Sequence, residues 1–78
     1  MITFKLGELL LRYKVSGAAL ARELGTERAT VSRWKQGKQT PSLGSVNKVL
    51  AAIRKIGNKR QLKAHPLKIS DIFELQDD

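Results

Sequence analysis

The sequence predicts an all-α fold, a small bundle of five helices, and three observations predict it. Apolar residues recur at intervals of three and four in successive windows of the 78-residue chain. Each window opens on a residue suited to capping a helix or closes on glycine or asparagine. No window shows the strict alternation of a half-buried strand, so no strand is expected.

The first helix is expected to begin at Thr3, a possible cap, and to bury Leu6, Leu9, Leu10 and Tyr13 along one face. Glu8 and Arg12 stand four apart in the favourable order for an ion pair on its outer side. Val15 and Ser16 break that periodicity. Ser16 then caps a second helix, GAALAREL, which Gly25 stops. A third helix runs from Thr26 or Glu27 to Gln36, with Val31 and Trp34 inward and Gly37 ending it. Ser42 caps a longer fourth helix with the stripe Leu43, Val46, Val49, Leu50, Ile53 and Ile56. Gly57 and Asn58 are expected to end it, both tolerating left-handed backbone. Residues 58–68 read as a basic loop because Pro66 and the absence of periodicity argue against a helix. Ser70 can cap a short last helix over 70–76, whose Ile72, Phe73 and Leu75 need an apolar cover.

At this length one domain spanning 1–78 is expected, with a small core. The absence of cysteine excludes a disulfide framework and a thiolate metal site. His65 is the single histidine, so no metal cluster and no cofactor is expected. Glu23 and Glu27 straddle Gly25 and do not converge as a carboxylate pair, and no glycine-rich phosphate loop follows a strand. An enzyme is therefore not expected. No apolar run reaches the roughly 18 residues of a membrane span, and the N-terminal segment is a poor signal peptide, so a cytoplasmic protein is expected.

Charge is the dominant feature of the composition. The net charge is +8 and the isoelectric point near 10.3. Between Glu27 and Asp71 lysine and arginine recur without one acidic residue, before the chain turns acidic in its last eight residues. A basic stripe on a small folded domain points to nucleic acid or an anionic membrane surface.

Two short helices joined through glycine suggest a helix-turn-helix over about 16–37. Such a motif needs a small residue where the helices cross, and Ala21 is one. It needs a turn residue that accepts positive φ, and Gly25 follows four residues later. It needs apolar anchors on the second helix, and Val31 and Trp34 lie three apart, while Leu20 and Leu24 anchor the first. With the Gln36-Gly37-Lys38 turn and the Thr40-Pro41-Ser42 approach to the fourth helix, residues 3 to 56 resemble the lambda-repressor/Cro-like helix-turn-helix proteins, also called the XRE family. The resemblance implies five helices, duplex DNA bound through the third, and commonly a two-fold dimer on a palindromic operator. The chain departs from the pattern at Gly17, where many members carry a phosphate-binding glutamine, and at Glu27, where serine or threonine is common. Its segment between the fourth helix and DIFEL is also longer.

At about 100° per residue, Glu27, Thr30, Val31 and Trp34 fall on one half of the third helix, and Arg28, Ala29, Ser32 and Arg33 on the other. That second half is the expected base-reading face. Arginine donates twice to guanine O6 and N7, and alanine meets a thymine methyl. Ser16 and Gly17, the latter through its backbone N–H, and Lys35, Gln36, Lys38, Gln39 and Thr40 are expected on phosphates. Glu27 stabilises the helix N-terminus or accepts from a cytosine amino group. Lys59, Arg60 and Lys63 extend this footprint or keep a loop soluble. The expected function is sequence-specific regulation of transcription, as a repressor acting as a homodimer through Ile72, Phe73 and Leu75. The alternatives are an antitoxin that binds its own promoter and a toxin, and a scaffold for RNA or membrane.

Overall fold

The computed structural model describes residues 2–75. The elements follow in the order β1 (Ile2–Phe4), α1 (Leu6–Arg12), α2 (Gly17–Leu24), α3 (Arg28–Lys35), α4 (Leu43–Ile56), α5 (Lys59–Ala64), α6 (Ile69–Ile72) and β2 (Phe73–Leu75). The body is all-α, with six helices among the described residues rather than five. To it the structure adds a short antiparallel ribbon that the sequence does not announce. β1 pairs with β2 in the register Ile2↔Leu75, Thr3↔Glu74, Phe4↔Phe73.

That ribbon corrects three expectations at the ends. Thr3 lies in β1 and does not cap α1, which is preceded by Lys5 without a side-chain cap. The last helix runs only from Ile69 to Ile72, and 73–75 are strand. Ile72 has no exposed surface at all, and Phe73 is half-buried with its ring 5.6 Å from that of Phe4. The cover Ile72 needs therefore comes from the same chain, and Phe73 is covered in part by Phe4. The Lys5 N–H donates to the Ile72 carbonyl at 2.6 Å, which locks the start of α1 to the end of α6.

Three consecutive helices stop in the same way. The N–H groups of Lys14 and Val15 donate to Leu11 and Leu10, those of Gly25 and Thr26 to Arg22 and Ala21, and those of Gly37 and Lys38 to Trp34 and Arg33. Each is the paired closure of a Schellman motif, which needs left-handed backbone at its first residue. Gly25 (φ 68°) and Gly37 (φ 75°) adopt it without penalty, whereas Lys14 adopts it at φ 57° with a Cβ. Lys14→Gly is accordingly expected to stabilise the fold by about 0.5 kcal/mol, and Gly25→Ala to destabilise it by about 1 kcal/mol. Urea unfolding of the two variants beside the parent checks both signs.

The helix starts follow capping chemistry. The Ser16 and Ser42 hydroxyls accept from the N–H groups of Ala19 (3.0 Å) and Ser45 (3.2 Å). Asn58 does the same for Gln61 at 3.1 Å, so it opens α5 where a loop was expected. Gly57 ends α4 in extended conformation, φ −69° and ψ 166°, not in the left-handed region. It is glycine for another reason. A Cβ there would lie 2.5 Å from the Ile53 carbonyl oxygen and 3.2 Å from the Tyr13 Cβ.

The core joins Leu6, Leu9, Leu10 and Tyr13 of the α1 segment to Leu20, Ala21, Val31, Trp34, Val46, Val49, Leu50, Ile53 and Ile72. Leu43 drops out of the expected α4 stripe and is 67% exposed. Three bonds strap α5 and its exit onto this core. Tyr13 Oη donates to the His65 carbonyl (2.6 Å), Asn58 N–H to the Tyr13 carbonyl (2.8 Å), and Arg54 Nη2 to the Leu67 carbonyl (2.7 Å).

On the outer surface Glu8 pairs with Lys5 at 3.1 Å rather than with Arg12, and Glu23 of α2 pairs with Lys55 of α4 at 2.8 Å. The hydrogen bond that Lys55 donates to Glu23, and the Glu23 charge, hold the Lys55 ammonium above its ordinary range, against a small desolvation effect. A raised lysine favours the folded state at neutral pH, and the benefit fades as alkaline pH titrates the folded ammonium. Because the pair is solvent-screened, Glu23→Gln is expected to lower the melting temperature slightly at low salt and not at all near about 1 M salt. Thermal melts at the two ionic strengths check this.

Candidate nucleic-acid interface

The helix-turn-helix is built from α2 and α3, and its geometry begins at their crossing. Ala21 and Leu20 of α2 are buried there, as are Val31 and Trp34 of α3. The small Ala21 side chain lets the backbones approach, and Gly25 turns the chain between them. Anchored through Val31 and Trp34, α3 turns its opposite side outward. Arg28, Ala29, Ser32, Arg33, Lys35 and Gln36 are all exposed. Thr30 is half-buried at the boundary, but Glu27 is exposed rather than inward.

Glu27 is the residue before α3, with extended backbone at φ −80° and ψ 147°. Its carbonyl accepts from the N–H groups of Thr30 (3.1 Å) and Val31 (3.4 Å), and its carboxylate makes no capping hydrogen bond. Its side chain therefore acts on the helix end only through its charge.

The exposed residues divide into two groups. On one flank a shallow depression runs between the start of α2 and the outer side of α3, and Ser16, Gly17, Arg28, Ala29, Ser32 and Lys35 line it. The Ser16 oxygen is engaged by Ala19 N–H, which leaves its own proton free to donate outward. A Cβ on Gly17 would meet Val31 Cγ1 at an ordinary 3.7 Å, so packing does not demand glycine there. This leaves the N-terminal turn of α2 open toward the depression.

On the other flank Arg33 is held by two neighbours. Its Nε donates to Gln39 Oε1 at 3.0 Å and its Nη2 to Thr30 Oγ1 at 3.3 Å. Lys38, Gln39 and Thr40 are exposed in the connection from α3 to α4. Between the flanks Gln36 Nε2 reaches Ser32 Oγ at 3.4 Å, a weak contact. The link from Arg33 to Gln39 is absent from any reading of the sequence. The spacing of Thr30 and Arg33 hints at their contact, but the approach of Gln39 depends on the turn at Gly37.

Lys59, Arg60 and Lys63 are exposed and lie on α5 rather than on a loop. No group of three or more His, Asp or Glu residues among the described residues could hold a metal. No described helix is long and apolar enough to cross a membrane.

A family model for the Cro/C1-type helix-turn-helix DNA-binding domain matches residues 5–54, a stretch that runs from just before α1 to near the end of α4. No curated protein and no solved structure matches the chain.

Proposed function

The chain belongs to the Cro/C1-type helix-turn-helix family of DNA-binding domains, and from that premise we propose that it regulates transcription by reading a specific duplex sequence with α3 in the major groove. The observation that carries this reading is the exposed side of α3, where Arg28, Ala29 and Ser32 adjoin the open N-terminal turn of α2 and Arg33 stands exposed on the other flank. Arg28 and Arg33 suit guanine edges, Ala29 a thymine methyl, and Ser32 a base or a phosphate. Ser16 and the N–H of Gly17 suit a phosphate at the start of α2, where the helix dipole adds to the attraction. Lys35, Gln36, Lys38 and Thr40 suit phosphates on the sides of the groove, with Lys59, Arg60 and Lys63 beyond them.

We read the regulator as a repressor, because occluding a promoter requires only affinity for it. We also read it as a homodimer on DNA. The eight residues of α3 span about 12 Å, enough for one half-site, and a second copy one helical turn away doubles the sequence read. Ile72 is not available to such a dimer, being closed in its own core.

Selection of bound sites from a random duplex library, followed by a salt titration on the selected site, tests the proposal. One recurring motif is expected, and log K should fall by about 0.9 per decade of salt for each phosphate neutralised. Failure to enrich a motif, or an affinity indifferent to salt, sinks sequence-specific binding. A complex whose mass corresponds to one protomer on a selected, non-repeating site sinks the dimer.

A further inference from the structure

We propose that Gln39 is a positioning residue for Arg33, holding its guanidinium so that one two-donor edge faces a guanine in the major groove; this rests on α3 being the reading helix. An arginine can only donate, so the atom of Gln39 that receives Arg33 Nε at 3.0 Å is its amide oxygen. Thr30 Oγ1 receives one Nη2 proton at 3.3 Å from the preceding turn of α3. These two bonds occupy Nε–H and one Nη2–H. Left over are both Nη1 protons and the second Nη2 proton, the end-on fork that matches the paired acceptors O6 and N7 of guanine.

The arrangement follows from the way α3 ends. Gly37 turns left-handed at φ 75° and Lys38 N–H closes back on the Arg33 carbonyl at 3.0 Å. That closure folds the connection back over the last turn of α3 and sets Gln39, two residues past the glycine, beside the Arg33 side chain. An unrestrained arginine samples many rotamers, and fixing one upon binding costs affinity. Here the ordering is done before DNA arrives, by two residues whose own side chains do not have to touch a base. Gln39 thereby sets how sharply Arg33 distinguishes guanine. A phosphate contact by Gln39 would instead act on every sequence alike.

The test measures binding to the selected site and to duplexes altered one base pair at a time, at several salt concentrations. It compares the parent with Arg33→Ala, Gln39→Ala, Gln39→Glu and the double variant Arg33→Ala/Gln39→Ala. Gln39 and Arg33 are both exposed, and unfolding curves confirm that each variant is folded. Arg33→Ala is expected to erase preference at one G·C pair. Gln39→Ala should reduce preference at that same pair about three- to tenfold with the salt slope unchanged, and should add nothing once Arg33 is alanine. Gln39→Glu keeps the acceptor, so the preference should survive while its charge weakens binding to all duplexes.

Gln39→Ala weakening every duplex equally, with the preference at the Arg33 pair kept, would make Gln39 a phosphate contact and overturn the proposal. So would an unchanged preference at the Arg33 pair. A different result, in which Arg33→Ala itself leaves every base preference intact, removes α3 as the reader through Arg33, and the two failures are thus distinguishable.

Discussion

Trp34→Ala is expected to cost about 3–5 kcal/mol, the largest loss of any alanine substitution in α3. A chain of 78 residues has a total stability on the order of 4–12 kcal/mol, so this variant should be unfolded in large part at physiological temperature. Trp34 is only 7% exposed and belongs to the continuous core that includes Val31, Ala21 and Leu20. Its removal opens a cavity under the very helix proposed to enter the groove. The indole Nε1 is buried without a hydrogen-bond partner among the described residues, so the ring contributes by volume and not through its polar atom. Trp34→Phe should therefore cost much less, about 1–2 kcal/mol, since lost volume is partly offset by removal of the unpaired donor. Urea unfolding of both variants decides this. An alanine variant as stable as the parent would show that the ring packs on nothing essential and free it for a role on DNA.

Contrasts of this kind explain how far the sequence could be read. The limits of α2 and α3 were legible because the signals are local: a serine hydroxyl reaches an N–H three residues on, and a glycine accepts the left-handed turn. Val31 and Trp34 were legible as core because three-residue spacing puts them on one side of a helix whose other positions are polar apart from Ala29. The terminal ribbon was not, since Ile2–Phe4 and Phe73–Leu75 are too short to show alternation and depend on each other across the whole chain. For the same reason the pattern of Ile72 and Phe73 identifies apolar residues in need of cover but not that the core of the same chain encloses Ile72 and that Phe4 packs on Phe73. Gly57 shows a subtler limit. Glycine beyond a helix suggests left-handed backbone, yet here it is required because Ile53 and Tyr13 leave no room for a Cβ. Asn58 reads in the sequence as a terminator, whereas its side chain starts α5, since asparagine serves both ends of a helix. At the candidate interface, periodicity separates the outward residues of α3 from the buried ones, apart from Glu27. It cannot reveal the hold of Gln39 on Arg33, which arises from a turn between them.

Arg33→Ala and Lys38→Ala are expected to lower DNA affinity in distinguishable ways. If Arg33 donates to a guanine edge, its loss should cost about 1–3 kcal/mol on the selected site and relax preference at one base pair. On a scrambled duplex the loss should be much smaller, because there the arginine contributes only its charge. Lys38 follows Gly37, exposed on the connection to α4, and its backbone N–H bond to Arg33 survives truncation of the side chain. Lys38→Ala should weaken selected and scrambled duplexes about equally and reduce the salt slope by roughly one unit. Arg28 provides the internal comparison. It lines the depression with Ser16 and Gly17, next to the exposed Glu27, and neither Gln39 nor Thr30 holds it there. Without such restraint its guanidinium must order itself on DNA, so Arg28→Ala should reduce base preference less than Arg33→Ala does. Fluorescence anisotropy on matched duplexes, with salt varied for each variant, measures all three. Equal losses on both duplexes for Arg33→Ala would make it a phosphate contact, and base reading by α3 would then have to rest on Arg28, Ala29 and Ser32, the residues that line the depression beside α2.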